Sequence, residues 1–170
     1  MRLFVASSSP RRTEILNSFS IPFTLIENKL IDEPEIKTDI SVVNYLKTCS
    51  YLKAYASVGS NTGLILGCDT VIVYQNQIIT KPASMDDALS ILLKLSDQYH
   101  DVISMAAIIN TQEDTIEYCY ERSRVTFKDY SRSKFISYLD KNDPLDKAGG
   151  YGIQDKPPFI EHIYGGIENI

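Results

Sequence analysis

Residues Leu64–Tyr74, with the sequence LILGCDTVIVY, are the stretch that decides the fold. Apolar and β-branched side chains fill it almost completely, and the main interruption is Asp69 with the threonine after it. This composition predicts a buried strand. The polar residues 75–77 then predict a turn into a shorter strand at residues 78–80, which a Lys-Pro pair ends.

Two strands and two helices are predicted before this stretch. Residues 2–6 form a short apolar run that predicts a strand, and apolar residues at helical spacing predict a helix over residues 13–19. Residues 22–26 predict a second strand. The segment 27–39 carries five acidic residues against two lysines, which predicts an exposed loop. Apolar residues then recur every three or four positions over residues 41–57, which predicts an amphipathic helix.

The second half of the chain continues the alternation of helices and strands. Ser84 and the aspartate three residues later have the spacing of a capping box, which predicts a helix to about residue 96. Residues 99–110 and 115–128 are long strand candidates around a polar turn, which predicts a hairpin. Apolar residues alternate with acids in the second of them, so one face is expected to be solvated. A helix over residues 131–140 and a last strand near residues 159–163 are predicted after the hairpin.

These elements predict an α/β fold with a mixed sheet in one domain of 170 residues. A chain of this length can bury about 70% of its unfolded surface, so it needs no disulfide or structural metal. The net charge of −5 argues against a protein that coats nucleic acid or an anionic membrane. No apolar run approaches the roughly 18 residues of a membrane span, and the N-terminus becomes polar too early for a signal peptide.

The cysteines and histidines are few. Cys49, Cys68 and Cys119 are odd in number and far apart, so we expect them to be buried, reduced and apolar in character. With two histidines besides, a structural zinc site is not expected. The composition as a whole predicts a globular, cytoplasmic protein.

The segment SSSPRR at residues 7–12 is the first candidate for a functional site, because it lies between the first strand and the first helix. Backbone N–H groups at a helix N-terminus, serine hydroxyls and two guanidinium groups suit a phosphate chain. The alternative is an ordinary Ser-Pro helix start with two solvated arginines. Arginine is unfavourable at the positive end of the helix dipole, which slightly favours a ligand.

Three further positions carry polar residues in unusual surroundings. Asp69 lies in an apolar strand, where a carboxylate is costly unless it is paired, binds a metal or acts as a base. The alternative is an aspartate hydrogen-bonded at a bulge. Lys81 ends the next strand, where a solvated lysine is the more common outcome. Residues 146–154, DKAGGYGIQ, combine glycines that let the backbone pass close to a ligand with Gln154, whose amide can contact a base edge; the alternative is a surface turn.

Familiar catalytic templates are absent from the sequence. It contains no P-loop, no dinucleotide-binding glycine motif in a strand–turn–helix context and no Gly-x-Ser-x-Gly elbow, and the presence of two histidines argues against a Ser-His-Asp triad. Glu33 in the acidic loop and Lys53 on the second helix are weak candidates when each is considered by itself.

Taken together and in this order, these segments resemble the Maf family of nucleotide pyrophosphatases. The resemblance spans nearly the whole chain and implies an elongated mixed sheet flanked by helices, in two lobes with the nucleotide in a central cleft. The matching segments are residues 6–12, 67–71, Lys81-Pro82, Leu95-Ser96 with His100 and Val102, and 146–154, with weaker matches at Glu33 and Lys53-Ala54.

The resemblance also implies a substrate. Ser-Pro-Arg-Arg at residues 9–12, Asp-Thr-Val at 69–71 and Tyr-Gly-Ile-Gln at 151–154 look like the branch of the family that hydrolyses dTTP and UTP. The expected reaction cleaves a nucleoside triphosphate between its α and β phosphates and gives a monophosphate and pyrophosphate. CTP and modified pyrimidine nucleotides are further candidate substrates. The residues at positions that distinguish this branch from the 7-methyl-GTP branch are Arg11, Thr70 and Gln154.

Roles follow for the remaining residues. Asp69 is expected to accept a proton from a water that attacks the α phosphorus, with Glu33 and Lys81 as further catalytic residues. Mg²⁺ or Mn²⁺ is expected as cofactor, with Glu33 and Asp69 as its ligands. The opposite assignment, with Asp69 as metal ligand and Glu33 as base, stays open. The residues expected to bind the substrate are Ser7, Ser9, Arg11, Arg12, Lys53, Thr70, Lys147 and Gln154.

Other functions remain open. The chain could prefer 7-methyl-GTP or another modified nucleotide, bind nucleotide as a regulator of septum formation and cell division without turnover, or be an interaction domain. The nucleotide is the expected partner, without a nucleic acid polymer or a membrane, and the resemblance implies a homodimer. Three departures from the family are Cys68 in place of a small Ala or Ser, Asn142-Asp143 before a proline, and the end of the chain at Ile170, which leaves a single Maf-like domain about one helix short.

Overall fold

The computed structural model describes residues 1–30, 34–36 and 41–170. In these ranges the chain forms seven strands, four α-helices and three short 3₁₀ turns. The elements in chain order are β1 (Leu3–Ala6), α1 (Pro10–Ser18), β2 (Thr24–Ile26), α2 (Val42–Ala56), β3 (Leu64–Tyr74), β4 (Gln77–Ile79), α3 (Met85–Leu95), β5 (Tyr99–Asn110), β6 (Thr115–Phe127), α4 (Arg132–Leu139) and β7 (Ile160–Tyr164). The 3₁₀ turns are Ala148–Gly150, Ile153–Asp155 and Ile167–Asn169.

The seven strands belong to one mixed sheet, which is flanked by helices. Its strand order is β2-β1-β3-β5-β6-β7, and the short β4 pairs with β3 beside this path. Strand β1 runs parallel to both β2 and β3, whereas β4 is antiparallel to β3 and β7 is antiparallel to β6. The predicted α/β fold with a mixed sheet is therefore confirmed.

The described chain divides into two compact units. The first contains Met1–Asp69 and Ser104–Tyr120, and the second contains Thr70–Ile103 and Glu121–Ile170. The expectation of a single domain, with two lobes and a central cleft, stays a prediction. No helix in the described ranges is both long and apolar enough to cross a bilayer.

In the first unit, helix α2 contributes much of the buried surface. Ala54 on its inner face packs with Phe4 of β1, Ile65 of β3 and Ile109 of β5. The three- and four-residue spacing that predicted this helix is also the spacing of its buried face. The buried residues of α2 are Tyr45, Leu46, Cys49, Ser50, Lys53 and Ala54.

In the second unit, aromatic rings form the centre of the core. The fully buried ring of Phe159 makes edge contacts with five other rings at centroid distances from 4.7 to 6.1 Å. Edge-to-face contacts of this kind add to the stabilisation from burial alone. The five partner rings are Phe127, Tyr130, Phe135, Tyr138 and Tyr151.

Helix starts and turns follow the sequence signals closely. Ser41 and Ser84 cap α2 and α3, because each hydroxyl accepts a hydrogen bond from the backbone N–H three residues later, at 3.2 and 3.1 Å. Ser131 precedes α4 as predicted, but its side chain makes no capping hydrogen bond. Gln75 and Asn76 both have positive φ, of 49° and 61°, as a tight turn between β3 and β4 requires.

Strand β6 departs from the sequence prediction in its first half. We expected one solvated face, but residues 115–122 are exposed on both faces, including Ile116 and Tyr120 at 43% and 62%. Alternation along a strand predicts two different faces but does not show whether anything covers the apolar one. For the same reason Cys119 is exposed and the prediction that it is buried is wrong, whereas Cys49 is buried.

Candidate active site

An ion pair between Lys53 and Asp69 lies in the interior of the first unit. Lys53 Nζ is 2.5 Å from Asp69 Oδ1, and the two residues are only 7% and 8% exposed. An unpaired carboxylate at this depth would be costly, and the ammonium group provides the compensating charge. Of the outcomes considered for Asp69, pairing with a cation is the one observed.

The pair forms because α2 lies very close to β3 at Gly67. A Cβ atom at this position would be 2.3 Å from the carbonyl oxygen of Ser50 and 2.5 Å from the backbone nitrogen of Ala54. A side chain would push the helix away, so the absence of one permits the contact. Asp69 follows two residues later on the same face of β3, where Lys53 of α2 reaches it.

The segment SSSPRR forms the entry to α1. Ser7 Oγ accepts hydrogen bonds from the backbone N–H of Ser9 at 3.1 Å and from Arg12 Nη1 at 3.3 Å. Helix α1 begins at Pro10, three residues before the start predicted from apolar spacing, because proline suits the first turn of a helix. The side chain of Ser9 makes no capping hydrogen bond. The first turn contains no acidic residue, so the positive end of the helix is not neutralised from within that turn.

The Cys68 thiol is influenced by charges from both the SSSPRR segment and the Lys53–Asp69 pair. Burial raises the pKa of the Cys68 thiol, and the charges of Arg12 and Lys53 oppose this while Asp69 adds to it. Three charged side chains predicted for the site therefore lie within electrostatic range of one sulfur atom. Arg12, Lys53 and Asp69 therefore each lie near enough to Cys68 to influence its thiol, and Arg12 also contacts Ser7. Arg11 is partly buried and has interactions of its own.

Glu33 lies outside the described residues, so its predicted role stays a prediction. In the described ranges, no three His, Cys, Asp or Glu side chains form a group that could hold a metal ion. Asp69 is the one predicted metal ligand that the structure describes, and its Oδ1 atom is bound to Lys53.

The second unit contains the other predicted site residues: Thr70, Lys81, Lys147 and Gln154. Lys81 and Gln154 are exposed. Lys147 is held by two carboxylates, since its Nζ lies 3.3 Å from Asp155 and 3.4 Å from Asp146. That these residues meet those of the first unit in one cleft stays a prediction.

The glycines of the DKAGGYGIQ segment make close contacts within the protein. Gly149 has a φ of 70°, its N–H donates to the carbonyl oxygen of Thr80 at 3.1 Å, and a Cβ atom there would be 2.3 Å from Ile72 Cδ1. A Cβ atom at Gly152 would be 2.9 Å from Gln154 Oε1. Close approach was expected from the sequence, but at Gly149 the neighbour is a side chain of β3.

His100 is a feature to which the sequence gave no role. It is 1% exposed, its Nε2 atom lies 2.6 Å from the hydroxyl oxygen of Tyr151, and Nδ1 has no partner in the described ranges. Burial lowers the pKa of His100 to about 4, against a smaller opposing effect of the Asp101 carboxylate. The imidazole is therefore neutral at pH 7 and fixes the first residue of the Tyr-Gly-Ile-Gln string. The sequence signal that could have indicated a buried histidine was its position near the start of an apolar strand.

Comparison with known proteins gives a consistent picture. Residues 2–170 match the sequence model of the family described as Maf-like protein. A dTTP/UTP pyrophosphatase of Bacillus cereus is 36% identical over 166 residues, which are 96% of this chain and 85% of the relative. One from Bacillus anthracis is 35% identical with the same coverage. One from Dictyoglomus thermophilum is 34% identical over 171 residues, which are 99% of this chain and 88% of the relative.

Proposed function

The chain belongs to the Maf family, and we propose that it is a nucleoside triphosphate pyrophosphatase that hydrolyses dTTP and UTP. Relatives with that activity in their names match nearly the whole chain. The single structural observation that best supports the proposal is the Lys53–Asp69 pair, a fixed cation and carboxylate in the unit that also contains the SSSPRR segment.

We expect the phosphates to bind at the start of α1. The N–H groups of its first turn receive no cap from Ser9, and such groups favour an anion. The hydrogen bond from Arg12 to Ser7 Oγ restricts the position of the guanidinium group, whose positive charge would stabilise the phosphates. Ser7 and Ser9 would donate their hydroxyl hydrogens, and Arg11 and Lys53 would add further positive charge.

Asp69 is proposed as the proton acceptor. Lys53 holds Oδ1, so Oδ2 is the oxygen that would take a proton from the attacking water. The water oxygen forms a bond to the α phosphorus, the bond from that phosphorus to the bridging oxygen breaks, and pyrophosphate leaves with the bonding electrons. The positive groups around the chain of phosphates stabilise the charge that accumulates on its oxygens.

A divalent cation, Mg²⁺ or Mn²⁺, is part of the proposal. Mg²⁺ in proteins is commonly held by one or two carboxylates together with the phosphates of the substrate. Asp69, with Glu33 as the second carboxylate, fits this mode better than a site made of protein ligands alone. When bound, the ion would neutralise phosphate charge and polarise the reacting phosphoryl group.

The choice of nucleotide is assigned to Arg11, Thr70 and Gln154. Gln154 is exposed on a 3₁₀ turn, where its amide could donate to one atom of a pyrimidine edge and accept from another. Lys81 and Lys147 are proposed to approach the phosphates from the second unit. The proposal also includes a cytoplasmic location, which rests on composition, and no nucleic acid or membrane partner, which rests on the net charge of −5. A homodimer rests on the resemblance.

Pyrophosphate release is the measurement that tests the function. We expect release from dTTP and UTP with Mg²⁺ or Mn²⁺, and much slower release from GTP and 7-methyl-GTP; CTP completes the panel. Fast turnover of 7-methyl-GTP would contradict the pyrimidine assignment. Tight binding of dTTP with metal but no pyrophosphate would support a regulator without turnover, and no thermal shift with any nucleotide would contradict nucleotide binding altogether.

The assignment of Asp69 is tested by Asp69→Asn, with Glu33→Gln as the matched variant. Loss of a general base lowers kcat by about 10²- to 10⁴-fold. A folded Asp69→Asn protein that keeps near-native kcat would contradict the role of proton acceptor. The pH–rate profiles of the two variants would show which carboxylate controls the acidic limb.

A further inference from the structure

A second group of charged and aromatic residues lies in the second unit, and none of them is assigned above. Asp101 of β5 accepts three hydrogen bonds from two arginines of β6: from Arg122 Nη2 at 2.6 Å, and from Arg124 Nε and Nη2 at 2.9 and 3.3 Å. The guanidinium carbon of Arg124 lies 4.4 Å from the ring centre of Tyr99. These four residues together with Tyr164 of β7 are called the Asp101 cluster below.

Strand register brings the cluster to one face of the sheet. Arg124 is paired with Tyr164 in the β6–β7 ladder, and residues paired in this way project on the same side. Arg122 is two positions earlier on β6 and shares that side. The intervening positions point into the core, where Ser123 and Val125 are fully buried. The cluster therefore occupies the face of these strands that is directed away from the core.

This face is open to solvent. Tyr99 and Tyr164 are 57% and 65% exposed, and the side chains of Arg122 and Arg124 are 54% and 43% exposed. Tyrosine and arginine are both enriched where proteins bind partners, and here the two residue types lie side by side on an open surface.

Two cavities that share three residues open at the cluster. The larger, of about 460 Å³, is lined by Asp101, Arg122, Arg124 and Tyr164. The smaller, of about 260 Å³, shares the first three and extends past Tyr99 to the turn between β3 and β4. The larger volume falls in the range of about 300–1,000 Å³ that is common for small-ligand sites, and the space is a shallow depression open to solvent, not an enclosed cavity.

The charge of the cluster favours an anion. One carboxylate faces two guanidinium groups, which leaves a local excess of one positive charge in a chain of net charge −5. Burial acts to raise the pKa of Asp101, but the hydrogen bonds and charges of Arg124 and Arg122 outweigh it and lower the pKa. The carboxylate therefore stays ionised at neutral pH and holds both guanidinium groups in place. Each guanidinium has five N–H donors, so donors remain for a ligand.

We propose that the Asp101 cluster is a second binding site, which takes a nucleoside monophosphate. The phosphate would bind to the free donors of Arg122 and Arg124, since a guanidinium can bind a phosphate through two parallel hydrogen bonds. The base would stack on the exposed ring of Tyr164, as bases commonly do on aromatic side chains. The volume suits one nucleotide, and one excess charge is too little for a polyanion such as nucleic acid.

The experiment follows the side-chain N–H signals of Arg122 and Arg124 by NMR as UMP is added to the full chain. Saturable shifts at these signals are expected, with binding at least tenfold weaker for uridine and for inorganic phosphate. The double variant Arg122→Gln/Arg124→Gln should weaken UMP binding at this surface at least tenfold, as judged from the backbone amide signals of β6. Tyr164→Ala, which removes an exposed ring and leaves the ion pairs in place, should weaken UMP but not phosphate.

A matched control removes two positive charges elsewhere in the same unit. Arg132→Gln/Lys141→Gln changes two exposed residues outside the cavity and should leave UMP binding at the cluster unchanged. Pyrophosphate release from UTP should be unchanged in all three variants. Absence of UMP binding at the cluster would therefore not contradict the proposed function, and absence of pyrophosphate release would not contradict UMP binding at the cluster. The proposal is overturned if no shift saturates, if phosphate binds as tightly as UMP, if the control loses binding equally, or if oligo(dT) binds better with increasing length.

Discussion

Two aspartates of the same sheet are paired with basic side chains in opposite ways. Asp69 in the first unit contacts one lysine from a helix, and both residues are buried. Asp101 in the second unit contacts two arginines from the neighbouring strand, whose side chains are about half exposed. The exposed cluster has three hydrogen bonds between charged groups and the buried pair has one.

The difference shows that burial, more than the number of hydrogen bonds, determines what a charge pair contributes. Water and salt screen the half-exposed arginines of the cluster, and removing one of them leaves Asp101 paired with the other. The Asp69 side chain is about as exposed as that of Asp101, at 11% against 13%, but its lysine is buried with it, so loss of that lysine leaves a mostly buried carboxylate without the cation that compensates it. The Lys53–Asp69 pair is therefore expected to contribute more to the stability of the fold than the ion pairs of the Asp101 cluster.

Lys53→Met tests the buried side of this comparison and should have the largest effect. Leaving Asp69 unpaired is expected to lower the free energy of unfolding by about 4 kcal/mol, measured by urea denaturation at pH 7. The double variant Lys53→Met/Asp69→Leu removes both charges and should recover much of that loss. Equal stability of Lys53→Met and wild type would show that the pair contributes nothing to the fold.

Gly67→Ala should be nearly as damaging, because the added methyl group meets helix backbone at 2.3 Å. Overpacking of this kind is expected to cost about 3 kcal/mol and to separate Lys53 from Asp69. Gly166→Ala is the control, since its φ is −70° and the nearest atom to the new methyl group would be 3.7 Å away. A Gly67→Ala protein as stable as the control would contradict the argument from close approach.

His100 extends the comparison to a buried group that is neutral. Its pKa is about 4 in the folded protein and 6.5 unfolded, so the unfolded state binds more protons between these values. The contribution of His100 is complete above pH 6.5 and falls by about 3 kcal/mol as the pH drops to 4. Urea unfolding as a function of pH should show a steeper slope for wild type than for His100→Phe. Parallel slopes would refute the buried neutral imidazole.

Arg122→Gln tests the exposed side and should have the smallest effect. With Arg124 still bound to Asp101, the free energy of unfolding is expected to change by less than about 1 kcal/mol. The difference should shrink further at high salt, because the pair is screened. A loss as large as that of Lys53→Met would erase the distinction between the two aspartates.

The fold could largely be predicted because its strongest signals are local. The apolar run LILGCDTVIVY is β3 to the residue, and Ser84 caps α3 through the predicted position. Predictions were weaker where the burial of a strand depends on whether another part of the fold packs against it. The first half of β6 has a strand pattern, but nothing in its sequence shows that both faces stay exposed.

The charged sites show the same limit. Lys53 and Asp69 were both predicted as site residues, but their pairing was not. It depends on the close contact between α2 and β3 at Gly67, which only the folded structure shows. The Asp101 cluster was not predicted at all, since Arg122 and Arg124 lie 21 and 23 residues after Asp101 in the sequence and meet it only through strand register. Spacing within one element is visible in a sequence, whereas register between two strands is not.

The anchoring of the segment before Gln154 has a consequence for the entropy of nucleotide binding. The hydrogen bond from Gly149 to Thr80 and the contact of Tyr151 with His100 fix two points just before the Gly-Ile-Gln residues. A loop ordered in this way loses little conformational freedom when a ligand binds, because the entropic cost of ordering it is incurred during folding. Any recognition of a base by Gln154 would then depend on a pre-organised backbone rather than on closure of a flexible one.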